Sequence, residues 1–145
     1  MACDDRLFFT CSLIEYIGRI TKNRRSNVVD FLGERVSHIY EYADVLHLEP
    51  IAKVAEDFIR LAKIPNGNFD NIAGCKYAIP DYWDIGDVYR RIIEDNNEGD
   101  IFKTLISVYH STVGELIQNF NSDLYYQPRD YLSECYRENT IISDD

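Results

Sequence analysis

One helix-length stretch with almost no polar face constrains this chain more than any other feature. From Leu7 to Ile20, the residues Leu7, Phe9, Cys11, Leu13, Ile14, Tyr16, Ile17 and Ile20 cover more than half of a helical circumference. Only Ser12, Glu15 and Arg19 mark a polar stripe. A helix that is apolar most of the way round needs neighbours on several sides. The stretch is therefore expected to be the central helix of a core, with Asp4 or Asp5 near its start.

The neighbours that could cover it are also helical in pattern. Asn27 and Asp30 fit a capping pair that opens a short helix, Val28 to Leu32, closed by Gly33. Glu34 to Leu46 reads as one helix. Pro50 to Lys63 is the cleanest, with Ile51, Val54, Ala55, Phe58, Ile59 and Ala62 in one arc and charges in the other. Asp84 is expected to cap the next helix, with Asp87 three residues on and Ile85, Val88, Tyr89, Ile92 and Ile93 inward. Ile101 to Phe120 reads as one long helix, and Pro128 opens a last one running to Glu138.

The fold class is therefore all-α, an irregular bundle of about six or seven helices. One long loop lies near residues 64–80, where Asn66-Gly67, Asp70-Asn71, Pro65, Gly74 and Pro80 all oppose a helix. Tyr77 to Ile79 could be extended. The domain reading is a single helical domain over 1–145, with a possible sub-domain seam at 64–80. Lys22 to Arg25 reads as a solvated basic connector at a helix C-terminus. Asn139 to Asp145 reads as a frayed end.

Charge narrows the partners. The chain carries a net charge of −10, unevenly spread. Residues 1–80 hold 11 acids and 10 bases; residues 81–145 hold 14 and 5. That second half repels a phosphate backbone and an anionic membrane surface, so neither nucleic acid nor membrane is an expected partner. It attracts a protein with a basic surface, through an association that weakens as salt rises. The same excess also serves plain solubility.

Cys3, Cys11, Cys75 and Cys135 form no CxxC pair and match no zinc module, which points to reduced thiols in a cytoplasmic protein. Asp4 and Asp5 stand where a secretory signal needs basic residues. No apolar run reaches the roughly 18 residues of a membrane span.

Catalytic signals are sparse. Asp44 and His47 have an Asp-x-x-His spacing, yet His47 falls at the edge of the buried face and no second such motif completes a di-metal bundle. His38 lies with Glu34 and Glu41 on the solvent side, an ordinary surface cluster. His110 adjoins Ser111, but neighbouring helix positions point about 100° apart, so the two make no triad. Phosphate-binding glycine motifs are absent. The reading names no catalytic residue, no metal ligand and no cofactor.

The aromatics carry more. Eight of the 11 tyrosines lie from Tyr77 onward, with the sole tryptophan, Trp83. Tyr82 and Trp83 adjoin the long loop, and Tyr125 and Tyr126 sit between helices. Aromatics beside an acidic surface resemble interface anchors, although large rings also fold back to close a core. The candidate interaction residues are Tyr82, Trp83, Tyr125 and Tyr126 as anchors, with Asp81, Asp84 and Asp87 as steering charge.

The runs Phe9 to Ile17, Tyr42 to His47 and Ile79 to Tyr89 resemble a family of small bacterial helical proteins of uncharacterised activity. The first half is also loosely similar to helical proteins encoded beside ADP-ribosyltransferase-like toxins. These resemblances bring no catalytic motif. They imply a bacterial cytosolic setting and an antitoxin-like or accessory role. Three readings follow. The first is a non-enzymatic interaction module that binds a basic partner through its acidic, tyrosine-rich second half. The second is a small helical enzyme or metal protein using His38 or His47 with nearby carboxylates. The third is an acidic DNA mimic. Self-association is compatible with all three.

Overall fold

A computed structural model describes residues 5–142. These residues form nine α-helices, one 3-10 turn and no strand: α1 Asp5–Thr21, α2 Arg25–Leu32, α3 Arg35–Glu41, α4 Ala43–Leu46, α5 Ile51–Ala62, α6 Tyr82–Asn96, α7 Ile101–His110, α8 Thr112–Leu116 and α9 Arg129–Glu138, with the turn at Leu124–Tyr126. The protein is an all-α irregular bundle. Helix α1 is its axis. Helices α2 to α5 wrap one side of it and α6 packs along the other, with α7 and α9 behind α6.

The helices are those the apolar periodicity predicts, with four differences in their ends. The stretch Glu34 to Leu46 divides into α3 and α4 because Tyr42 leaves helical geometry at φ −104° and ψ 14°. Ile101 to Phe120 divides at Ser111, whose extended ψ of 164° ends α7. Its hydroxyl then accepts from the Gly114 N–H and so opens α8. Helix α2 begins at Arg25, without an Asn27–Asp30 cap. The backbone N–H of Arg25 is taken instead by Gln118 Oε1 at 2.9 Å. Helix α6 is capped by Asp81, whose carboxylate accepts from the Asp84 N–H at 2.7 Å, so Tyr82 and Trp83 stand in its first turn.

The polar stripe of α1 turns inward. Ser12 and Glu15 are fully buried, and Ile20, expected in the core, is 48% exposed. Glu15 faces Arg25 of α2, and Ser12 faces α6 at Gly86, where α1 and α6 meet closely. A Cβ added there would lie 2.7 Å from the Ser12 backbone, nearer than real Cβ atoms come.

Residues 64–80 are a strap. Gly67 and Phe69 donate backbone N–H groups to the Thr21 and Lys22 carbonyls at 2.7 and 2.8 Å. Asn71 Nδ2 donates to the Gln118 carbonyl at 2.8 Å, and Asn121 exchanges bonds with Gly74 and Lys76. Tyr77 to Ile79 is irregular. Long connections are stable when their backbone groups find partners, and this one finds them on both sides of the bundle. One apolar core contains residues from before and after the strap, from Leu7 to Cys135.

The far end also folds back. Asn139 caps α9, and Tyr131 donates to the Ile142 carbonyl at 2.7 Å, so residues 139–142 are held rather than frayed. Cys3, Asp4 and the last three residues of the expected frayed end lie outside the described residues.

Candidate functional site

Trp83 and Tyr82 project from the first turn of α6 onto the outer edge of α1. Trp83 packs on Phe8, with ring centres 5.4 Å apart and a tilt of 46°. Tyr82 meets Tyr16 edge-on at 5.0 Å and also touches Trp83 at 5.2 Å. Beside Trp83 a pocket of about 330 Å³ opens between α1, α4 and α6. Asp5, Phe8, Phe9, Ala43, Asp44, His47 and Trp83 line it.

Tyr125 and Tyr126 form a second aromatic group. Tyr125 meets Phe120 edge-on at 5.8 Å and Tyr126 edge-on at 5.0 Å. Phe120 is buried, whereas Tyr126 is 66% and nearby Tyr77 67% exposed. A groove of about 540 Å³ runs between Tyr77, Phe120, Asp123, Tyr125 and Tyr126. It shares Ser122 and Asp123 with a hollow of about 510 Å³ that reaches Leu116, Tyr131 and Ile141.

Arg19 joins the two groups. Its guanidinium donates to the Pro80 carbonyl at 2.6 Å, two residues before Tyr82, and lies 5.2 Å from the centre of the Phe120 ring. The predicted anchors thus fall into two clusters on either side of one arginine. The predicted steering charges differ among themselves. Asp81 is occupied as a cap, Asp84 is exposed, and Asp87 is paired with both Arg90 and Arg91 at 2.6 and 2.7 Å.

Beneath this surface lies a buried ion pair. Arg25 and Glu15 are both fully buried and joined by two hydrogen bonds, Nε to Oε1 at 3.0 Å and Nη2 to Oε2 at 2.8 Å. Arg19 Nε donates to the same Oε2 at 2.8 Å. Burial alone would raise the Glu15 carboxyl; the Arg25 charge and then Arg19 outweigh it and hold the group below its ordinary 4.5. Arg25 lies across Gly18, where any side chain would collide with it. The expectation of a solvated Lys22–Arg25 connector is thereby corrected: Lys22 and Arg24 are exposed, and Asn23 and Arg25 are buried. Next to the pair, the Tyr89 and Tyr109 rings stack at 4.2 Å, and burial pushes both hydroxyls well above their usual range. Tyr89 donates to the Gly114 carbonyl at 2.6 Å.

The histidines stand apart from one another. His47 is exposed and lines the Trp83 pocket, rather than sitting at the core boundary. His38 is exposed and packs on Tyr42 with ring centres 4.6 Å apart and a tilt of 39°. His110 Nε2 bonds to Asp30 Oδ1 at 2.8 Å, in a carboxylate–imidazole pair beside a shallow hollow containing Ser107 and Ser111. Both serine hydroxyls are engaged elsewhere, Ser107 with Tyr136 and Ser111 with the Val108 carbonyl. No serine–histidine bond of the kind a nucleophile needs is drawn there. Among the described residues, no three His, Cys, Asp or Glu side chains converge as a metal-binding group. Among the described residues, no helix is long and apolar enough to cross a membrane.

Sequence reasoning did not find Phe8, Tyr16, Asp44 or Phe120 as parts of the aromatic face. A signal existed for two of them. Phe8, Ser12, Tyr16 and Arg19 recur at helical spacing, so two aromatics flank the polar stripe of α1. No protein-family model, curated protein or solved structure matches the chain.

Proposed function

We propose that this protein is a non-enzymatic interaction module that binds a basic protein surface through the face running from Trp83 to Tyr126. One observation carries the reading. Trp83 rests on Phe8 of α1 and lines one pocket, Tyr125 rests on Phe120 and lines the groove with Tyr126, and Tyr82 packs edge-on against Tyr16 beside Trp83. Rigid, half-buried aromatics of this kind make strong anchors because little side-chain freedom is lost on binding. Asp84 and Asp123 flank them, and the net charge of −10 favours a cationic partner.

In this reading the protein works in a bacterial cytosol, and its antitoxin-like or accessory role rests on sequence resemblance. The free thiols Cys11, Cys75 and Cys135 are compatible with a reducing compartment. The pairing of Asp87, Glu94 and Asp95 with arginines counts against a DNA mimic, which needs bare, regularly spaced charge.

The test is affinity purification of the tagged chain from a bacterial host at low and high salt, repeated with a Trp83→Ala/Tyr126→Ala variant. The expected result is one stoichiometric protein partner that is lost at high salt and lost with the variant. A partner retained by the variant overturns the mapping.

A further inference from the structure

We infer that the pocket between α1, α4 and α6 receives a single arginine side chain of the basic partner, an inference that rests on the interaction reading above. Its walls and rim differ in chemistry. Trp83 and Phe8, packed on each other with their ring planes 46° apart, both line the pocket, and indole is the ring most attractive to a cation. Asp5 and Asp44 supply carboxylates from two separate helices, α1 and α4. A guanidinium satisfies both at once, because its flat face stacks on a ring while its edge donates up to five N–H bonds. An ammonium group donates in a compact cone and stacks poorly, so lysine fits less well.

Size points the same way. At about 330 Å³ the pocket lies at the lower limit of ligand sites, room for one long side chain rather than a cofactor. The rim already shows the chemistry in a looser form. Arg6 lies 5.9 Å from the centre of the Tyr40 ring and 3.9 Å from Asp44. Both members of that pair are about half exposed or more, so it is weak and readily exchanged for a better-placed guanidinium.

Trp83 is the only tryptophan, so tryptophan fluorescence comes from the wall of this pocket. The experiment titrates the full chain with blocked hexa-arginine, hexalysine and hexacitrulline peptides. Hexa-arginine is expected to give a saturable change in Trp83 emission, hexalysine one about tenfold weaker, and uncharged hexacitrulline none. Asp5→Asn with Asp44→Asn is expected to weaken hexa-arginine at least about tenfold. Glu49→Gln with Glu56→Gln removes the same charge from around α5 and is expected to leave the affinity within about twofold. No saturable change, or an equal loss from both double variants, overturns the pocket. If the partner is still lost on Trp83→Ala/Tyr126→Ala while hexa-arginine leaves Trp83 unmoved, the interaction surface stands and the arginine site falls.

Discussion

Two arginines in this molecule make nearly the same bonds in opposite surroundings. Arg25 grips Glu15 through two nitrogens, with both side chains fully buried. Arg129 grips Asp95 through two nitrogens at 3.0 and 2.7 Å and reaches Glu94 as well, with its own side chain 39% exposed. The difference between them is solvent. Removing Arg25 leaves a carboxylate where water cannot reach it with Arg19 as its one remaining counter-charge; removing Arg129 leaves Asp95 and Glu94 partly wet. The buried pair ties α1 to α2. The surface set ties α9 to α6 and neutralises part of the acidic second half.

The largest effect expected from this contrast is at Arg25. Arg25→Ala is predicted to cost about 3–5 kcal/mol in urea denaturation, because Glu15 loses its main counter-charge in the core. The combined Glu15→Leu/Arg25→Met substitution removes both charges and refills the space. It is expected to recover most of that loss. A double variant as unstable as the single one would show that the pair itself, rather than an orphaned charge, sets the stability.

Acid sharpens the contrast next. Glu15 is held below its ordinary 4.5 by Arg25 and Arg19 against the pull of burial. A carboxyl depressed in the folded state stabilises the fold above its unfolded value, and that contribution drains away as pH falls through the depressed folded value. Wild type is therefore expected to exceed Glu15→Gln in stability by a constant margin from pH 7 down to about 4.5, and by a shrinking margin below. Asp95 titrates in both proteins and cancels from the difference. Urea midpoints at pH 7, 5 and 3 measure it; a margin that grows on acidification would be the wrong sign.

That Arg25 is buried was not legible in the sequence, and the reason is physical. Ser12, Glu15 and Arg19 on a helix read as a solvated stripe, and Lys22 to Arg25 as a basic connector, because each alone is costly to bury. They become affordable only together, and only because Gly18 lets Arg25 lie across α1 while Gly86 lets α6 close over Ser12. Such reciprocity is a three-dimensional property. The helices were legible where periodicity was strong: the expected Pro50 to Lys63 differs from α5 by one residue at each end. The break at Tyr42 carries no proline or glycine, so nothing local announced it; at Ser111 the only local signal was a serine suited to capping, with Gly114 three residues on. Of the aromatic face, Tyr82, Trp83, Tyr125 and Tyr126 were legible as a cluster late in the chain. The helical spacing of Phe8 and Tyr16 was a readable signal for one face of α1, but that Trp83 and Asp44 meet that face was not, because tertiary packing alone brings them there.

At the surface, Arg129→Ala is expected to cost about 1 kcal/mol at low salt, the upper end for an exposed but bidentate and networked ion pair. Near 1 M NaCl, where charges are screened within about 3 Å, that cost is expected to fall by roughly half, while the Arg25→Ala cost stays nearly constant. Equal salt sensitivity of the two variants would erase the distinction between them.

The smallest effect belongs to a third arginine-like arrangement, on α5. Lys53 pairs with Asp57 at 3.1 Å and with Glu49 at 3.5 Å, and hydrogen bonding to Asp57 raises its ammonium above the ordinary value. Like Arg129, Lys53 bridges two carboxylates, though through fewer and on average longer bonds. Yet Lys53 is more than half exposed, bonds through a flexible stem, and gives up rotamer freedom to hold its partners. Helix α5 is held instead by Val54, Ala55 and Phe58, which are buried against the bundle. Lys53→Ala is therefore expected to leave the urea midpoint unchanged within error at any salt concentration, since alanine's helix propensity offsets what the pair contributed. A measurable loss would mean that geometry rather than burial ranks the ion pairs of this protein, and Arg25 and Arg129 should then have cost the same.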